Sequence, residues 1–129
     1  MPRWRRTVVE VRAVKCLADK LFNGAYDIVA RPGYVGVVGF LNGRPLVIMV
    51  RSSGRFRSGL GEFKRVYGVK NGTIVFIRTS RVRAASFLKS LIERGFTIRQ
   101  ILVDERELRS LARCSGRIVD NLASRIMGA

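Results

Sequence analysis

The chain has 129 residues, 25 Lys and Arg against nine Asp and Glu, no histidine, and a formal charge of +16. This length holds one domain with a modest core; an apolar content of 47% argues against a disordered basic tail, and no run approaches the ~20 apolar residues of a membrane span. Lack of histidine removes the commonest general base and metal ligand, and nine acids cannot pair 25 bases, so the excess points to a polyanion, with nucleic acid foremost.

In chain order, Thr7-Val-Val-Glu10 has capping-box spacing, and Val11, Val14, Leu17, Ala18, Leu21 and Phe22 follow at helical intervals until Asn23-Gly24. A strand over 8–14 is the alternative. Tyr26 to Ala30 reads as a short strand closed by Pro32-Gly33. Tyr34 to Leu41 and Pro45 to Arg51 form a hairpin around Asn42-Gly43, the pair that favours a type I′ turn. Residues 52–59 have loop composition. Leu60, Phe63 and Tyr67 lie at helical spacing, although Gly61 and Gly68 leave a strand open. Thr73 to Thr79 is a strand, and Val82, Ala85, Leu88, Leu91 and Ile92 line a helix that ends at Gly95. Thr97 to Val103 is a further strand. Asp104 then caps a last helix, with Glu107 at the capping-box position. The fold class is α+β: one mixed sheet flanked by helices, in αβββαβαβα order, spanning residues 1–129 as a single nucleic-acid-binding domain. Within residues 104–129, Leu108, Leu111, Ile118, Leu122 and Ile126 form an apolar stripe that completes the core or makes an oligomer seam. Leu111, Ile118, Leu122 and Ile126 are the seam candidates, and Gly116 weakens a long coiled coil. Glycines 33, 36 and 39 in the strand-rich stretch relieve crowding or permit a bulge.

No acid occurs between Ile28 and Gly61, and the basic residues are 20 Arg and five Lys. Arg offers a planar fork to phosphate and a flat face to bases. The strongest local candidate is Arg51-Ser-Ser-Gly-Arg-Phe-Arg-Ser-Gly: Arg51, Arg55 and Arg57 follow a phosphate backbone while Phe56 stacks on a base, unless Phe56 folds back as a loop anchor. Lys64, Arg65, Tyr67 and Lys70 continue the basic and aromatic composition, with a solvated helix face as the plain alternative. Trp4 among Arg3, Arg5 and Arg6 is a second cluster, either an arm that orders on binding or a staple on the first helix. Arg78 and Arg81 stand where a strand gives way to a helix start, a place suited to phosphate. Arg51 alternates with Val50 and Ile48, so part of the sheet is expected to present charge.

Aromatics among arginines favour unpaired bases, and no basic recognition helix indicates a duplex reader. The expected partner is single-stranded DNA or RNA, bound without sequence preference; an RNA-binding structural subunit of a ribonucleoprotein is the alternative. Cys16 and Cys114 share no metal spacing and read as two reduced, semi-buried thiols of an intracellular, cytoplasmic protein. No cofactor, metal or membrane partner is expected.

The αβββαβ order is similar to that of the restriction-endonuclease-like nucleases, whose site joins an Asp on one strand to Glu-x-Lys on the next. Tyr26-Asp27-Ile28-Val29-Ala30 looks like the first strand and Leu46-Val-Ile-Met-Val-Arg51 like the second, with Met49 in place of the Glu and Arg51 in place of the Lys. A divalent ion needs several oxygen ligands, and Asp27 alone does not hold it. That resemblance implies a scaffold without the chemistry, hence no enzyme. The Arg-rich, His-free plan, with its basic and aromatic clusters and its final apolar stripe at Leu108, Leu111, Ile118, Leu122 and Ile126, resembles the ThermoDBP family of archaeal single-stranded DNA-binding proteins. This likeness implies a hyperthermophilic source, sequence-independent single-strand binding in a basic and apolar cleft, and a homodimer or higher homo-oligomer; if the ligand is DNA, the protein is expected at the nucleoid.

Overall fold

A computed structural model describes residues 3–31, 34–55, 71–83 and 88–128. Helix α1 (Arg3–Leu21) precedes strands β1 (Asp27–Arg31), β2 (Tyr34–Leu41) and β3 (Arg44–Arg51). A two-residue strand β4 (Gly54–Arg55) follows, then β5 (Gly72–Arg78), a second two-residue strand β6 (Val82–Arg83), α2 (Leu88–Glu93), β7 (Phe96–Leu102), α3 (Glu105–Ala112) and α4 (Gly116–Met127).

The main sheet has the order β1-β2-β3-β5-β7. β1, β2 and β3 form an antiparallel meander, and β3, β5 and β7 run parallel. The chain is thus the expected α+β class with one mixed sheet and helices on its faces. The hairpin turn also forms as the sequence suggests: Asn42 and Gly43 take φ of 53° and 78°, the two positive values a type I′ turn requires. Gly39 has a different reason to be glycine. A Cβ there would lie 2.8 Å from the Phe22 ring, so its absence lets the end of α1 close down on β2.

The sheet separates two cores by strand alternation. Val37, Ile48, Val50, Val75, Ile77 and Ile101 face α1, α3 and α4, whose Val14, Leu17, Leu108, Leu111 and Leu122 complete that side. Val38, Val47, Met49, Ile74 and Phe76 face the other way, toward Leu91 of α2 and Phe96. β3 is buried on both faces from Leu46 to Val50, which explains why it reads as a continuous apolar run. Its charge is therefore confined to the strand ends, not displayed on a sheet face.

Four expectations need correction. α1 begins at Arg3, so Thr7 lies within the helix rather than at its cap. Val82 is not helical; it pairs with Gly54 in a small parallel sheet, and the helix after it is described only from Leu88. The Asp104 cap forms as expected, with Glu107 N–H donating to Asp104 at 2.7 Å and Asp104 N–H to Glu107 at 3.0 Å. The helix it starts, however, ends at Ala112. Cys114 adopts φ of 57°, a left-handed conformation that breaks the helix before α4. Finally, Cys16 and Cys114 are not reduced thiols but a disulfide. Packing of α1 against α3 brings Cys16 to the α3–α4 corner, a proximity that 98 intervening positions conceal in the sequence.

Candidate nucleic-acid interface

The parallel strands carry the candidate residues to one end of the sheet. Arg51 closes β3 and Arg78 closes β5, and parallel pairing sets the two side by side. Beyond them the chain segments continue together: Gly54 pairs with Val82 and Arg55 with Arg83. Two ranks of arginine, 51 with 78 and 55 with 83, thus follow each other off the sheet, each pair of Cα atoms about 4.8 Å apart. Arg81 lies within the second segment. Gly54 has φ of +84°, and a Cβ there would meet the Arg51 guanidinium at 3.1 Å; glycine lets that side chain lie against the turn.

A polar network fixes this end. Glu10 of α1 is only 1% exposed, and its carboxylate accepts the Ser52 N–H at 2.7 Å and stands 3.9 Å from the Arg51 guanidinium. A charged acceptor for a backbone N–H is among the stronger hydrogen bonds, so it ties α1 to the exit of β3. The Thr79 hydroxyl donates to the Ser52 carbonyl, and the Val103 N–H donates to the Arg78 carbonyl at 2.9 Å. Arg78 donates to Gln100 and to the Val82 carbonyl, both at 3.2 Å, which holds its side chain along the strand ends. Arg81 is more exposed and faces Glu105 at 3.7 Å. Two donors remain unmatched: the Nε of Arg51 and the hydroxyl of Ser52 are buried without a hydrogen-bond partner.

Between this network and α3 lies a cavity of about 210 Å³, lined by Val9, Ser52, Ser53, Arg81, Glu105, Leu108 and Arg109. It sits past the carboxyl ends of the parallel strands, the position where open sheets with parallel strands place ligands. A wider crevice of about 450 Å³ occupies a different face of α3, between Arg106, Ser110, Arg117 and Asn121. The arginine ranks do not reach it.

Of the residues expected to bind nucleic acid, Arg51, Arg55, Arg78 and Arg81 are gathered here. Trp4, Arg5 and Arg6 lie in the opening turns of α1, whose backbone continues past Glu10 beyond the same end of β3. Phe56, Arg57, Lys64, Arg65, Tyr67 and Lys70 lie outside the described residues. The oligomer seam is corrected: Leu111, Leu122 and Ile126 are buried within the single chain, and Ile118 packs on the same core. With α4 laid on α1 and the sheet, the stripe completes the core. Asp27, Met49 and Arg51 do not converge either. Asp27 is level with Val38 and through it with Val47, so it lies two strands and four residues from Arg51, about 13 Å along the strand alone. Met49 is buried in the opposite core.

Glu10, Ser52 and Thr79 are the residues sequence reasoning missed. Glu10 carried a usable signal, because it stands four and seven residues before Val14 and Leu17, on the buried stripe of α1. At the far end of the same helix, Lys15, Asp19 and Tyr26 form an exposed cluster. The hydrogen bond from Tyr26, with help from Lys15, lowers the Asp19 carboxyl below its ordinary value; the hydrogen bond to Asp19 raises Lys15. Among the described residues no three His, Cys, Asp or Glu side chains cluster as metal ligands, and no helix is long and apolar enough to cross a membrane. No family model, curated protein or solved structure matches the chain.

Proposed function

We propose that the protein is a non-catalytic binder of single-stranded nucleic acid, foremost single-stranded DNA in the cytoplasm and at the nucleoid. The observation that supports this reading best is the paired arginine ranks, Arg51 beside Arg78 and Arg55 beside Arg83, leaving the carboxyl end of the parallel strands. Glu10 stands 3.9 Å from Arg51 and Glu105 3.7 Å from Arg81, and Glu10 is buried beneath Arg51. Four arginines in two ranks outnumber these two acids. Phosphate gains most from a guanidinium that is already held, as that of Arg78 is by Gln100 and the Val82 carbonyl. The distance between Asp27 and Arg51 favours this reading over a nuclease descended from the same strand order.

The test is a fluorescence-anisotropy titration with a labelled oligonucleotide of mixed sequence at several salt concentrations. At least four phosphate contacts are expected, so log K falls against log salt with a slope of about −3 or steeper. Joint Arg55→Ala and Arg81→Ala substitution lowers that slope by about 1.4, at ~0.7 for each lost contact. Unlabelled duplex of equal length competes less well than single strand. A slope near zero, or no binding at low salt, overturns the reading.

A further inference from the structure

The cavity beside the arginine ranks has walls unlike those of a phosphate site. Val9 and Leu108 are apolar, Ser52 and Ser53 are neutral, and Glu105 contributes a carboxylate at the first residue of α3. A phosphate would meet that negative charge, whereas Arg81 and Arg109 stand at the same cavity as cations. At about 210 Å³ the space falls below the ~300 Å³ lower limit typical of drug-sized ligands, so it suits a single flat ring system. The Ser52 hydroxyl, in a residue 7% exposed, is buried with no hydrogen-bond partner, so a ligand edge that reaches it makes a bond the empty protein lacks.

We infer that this cavity takes one unstacked nucleobase carrying an exocyclic amino group, its faces against Val9 and Leu108, its amino group donating to Glu105, and its flanking phosphates on Arg81 and Arg109. The inference rests on the proposed single-strand binding and adds a base preference to it. A carboxylate accepts from the exocyclic amino group of cytosine, whereas thymine has a carbonyl oxygen at that position, which a carboxylate repels, and offers only its ring N3–H. Glu105 also explains itself this way: it faces Arg81 at 3.7 Å, close enough to orient that guanidinium but long for a tight pair, leaving carboxylate lone pairs for a base.

The experiment compares the affinities of a 15-residue oligo-dC and a 15-residue oligo-dT for wild type and Glu105→Ala at matched salt and at neutral pH. Both probes have the same phosphates, so the ratio of their dissociation constants removes the general electrostatic effect of losing a negative charge. Wild type is expected to bind oligo-dC about fivefold or more tightly than oligo-dT, and Glu105→Ala to bring that ratio close to one. Ser52→Ala, which deletes an unpartnered hydroxyl and retains the backbone bond to Glu10, is expected to weaken oligo-dC binding and leave the salt slope unchanged. A wild-type ratio of one overturns the base pocket while oligo-dT binding keeps the single-strand reading intact. Retention of the ratio in Glu105→Ala overturns the role of this cavity. Failure of both oligonucleotides to bind at low salt instead removes the proposed function itself.

Discussion

Helix α1 bears two acid–base groupings nine residues apart, and they behave oppositely. Glu10 is buried at the carboxyl end of β3, with its carboxylate on the Ser52 N–H and near Arg51. Asp19 is exposed at the other end, bonded to Lys15 at 3.1 Å and to the Tyr26 hydroxyl. Water competes for every bond of the exposed grouping, whereas it cannot replace those of the buried one. Position in the fold decides which of the two constrains the structure.

Breaking the buried side should have the largest effect. Arg51→Ala removes the cation that stands 3.9 Å from the buried Glu10 carboxylate, and the expected loss of stability is up to about 3–5 kcal/mol. Glu10→Gln keeps an oxygen for the Ser52 N–H and loses the charge, so about 1.5–3 kcal/mol is expected. Urea unfolding of the two variants measures both losses. If both fall below ~1 kcal/mol, the Glu10 network does not anchor α1, and the contrast between the two ends of the helix disappears.

The Cys16–Cys114 disulfide lies between the two groupings and separates their roles. It joins positions 98 apart, and closing a loop of that order stabilises by about 2–4 kcal/mol in typical cases. Cys114→Ser, or reduction by dithiothreitol, should lower the unfolding midpoint by on the order of 10 °C. Below that midpoint, oligonucleotide affinity should stay unchanged, since Glu10 and Ser52 fix the arginine end without the disulfide. A reduced protein that remains folded but loses binding would show that the middle of α1, not its Glu10 contact, positions the interface.

Local chemistry explains how much of this was legible in the sequence. The β2 strand, the Asn42-Gly43 turn and the Asp104–Glu107 cap each depend on residues within a few positions, and each forms as their composition suggests. Two misses are local, the Thr7 cap and the break at Cys114; the others are long-range. Val82 looked helical because it shares a period with Leu88 and Leu91, but β4 offers it a strand partner. Leu122 and Ile126 read as a seam because their stripe is longer than one face of a small sheet needs; α1 uses the remainder. The arginine site was half legible. Composition singled out Arg51, Arg55, Arg78 and Arg81, but only parallel pairing of β3 with β5 shows that they share one end. Glu10 was visible as an acid and invisible as a buried one, because its spacing from Glu10 back to Thr7 matched a cap.

The smallest effect belongs to the exposed end of α1 and sharpens the contrast by its weakness. Asp19 has its folded-state pKa lowered below the unfolded 3.8, first by the Tyr26 hydrogen bond and then by Lys15. A lowered carboxyl contributes stability that is present above the unfolded pKa and lost as pH falls through the folded one. Lys15 runs the other way: its raised pKa gives a contribution present below 10.5 and lost as pH climbs through the folded value. Both groups are therefore in their stabilising charge states across neutral pH. The Asp19 side chain is 54% exposed, so solvent and salt screen most of that gain. Asp19→Asn should destabilise slightly at pH 7, and the difference from wild type should fade as pH drops below 3.8 and shrink in 0.5 M salt. Urea midpoints measured from pH 2 to 7 follow that convergence. A loss at pH 7 as large as that of Arg51→Ala, or one that persists at pH 2, would place this cluster among the contacts that hold α1 and reverse the order of its two ends.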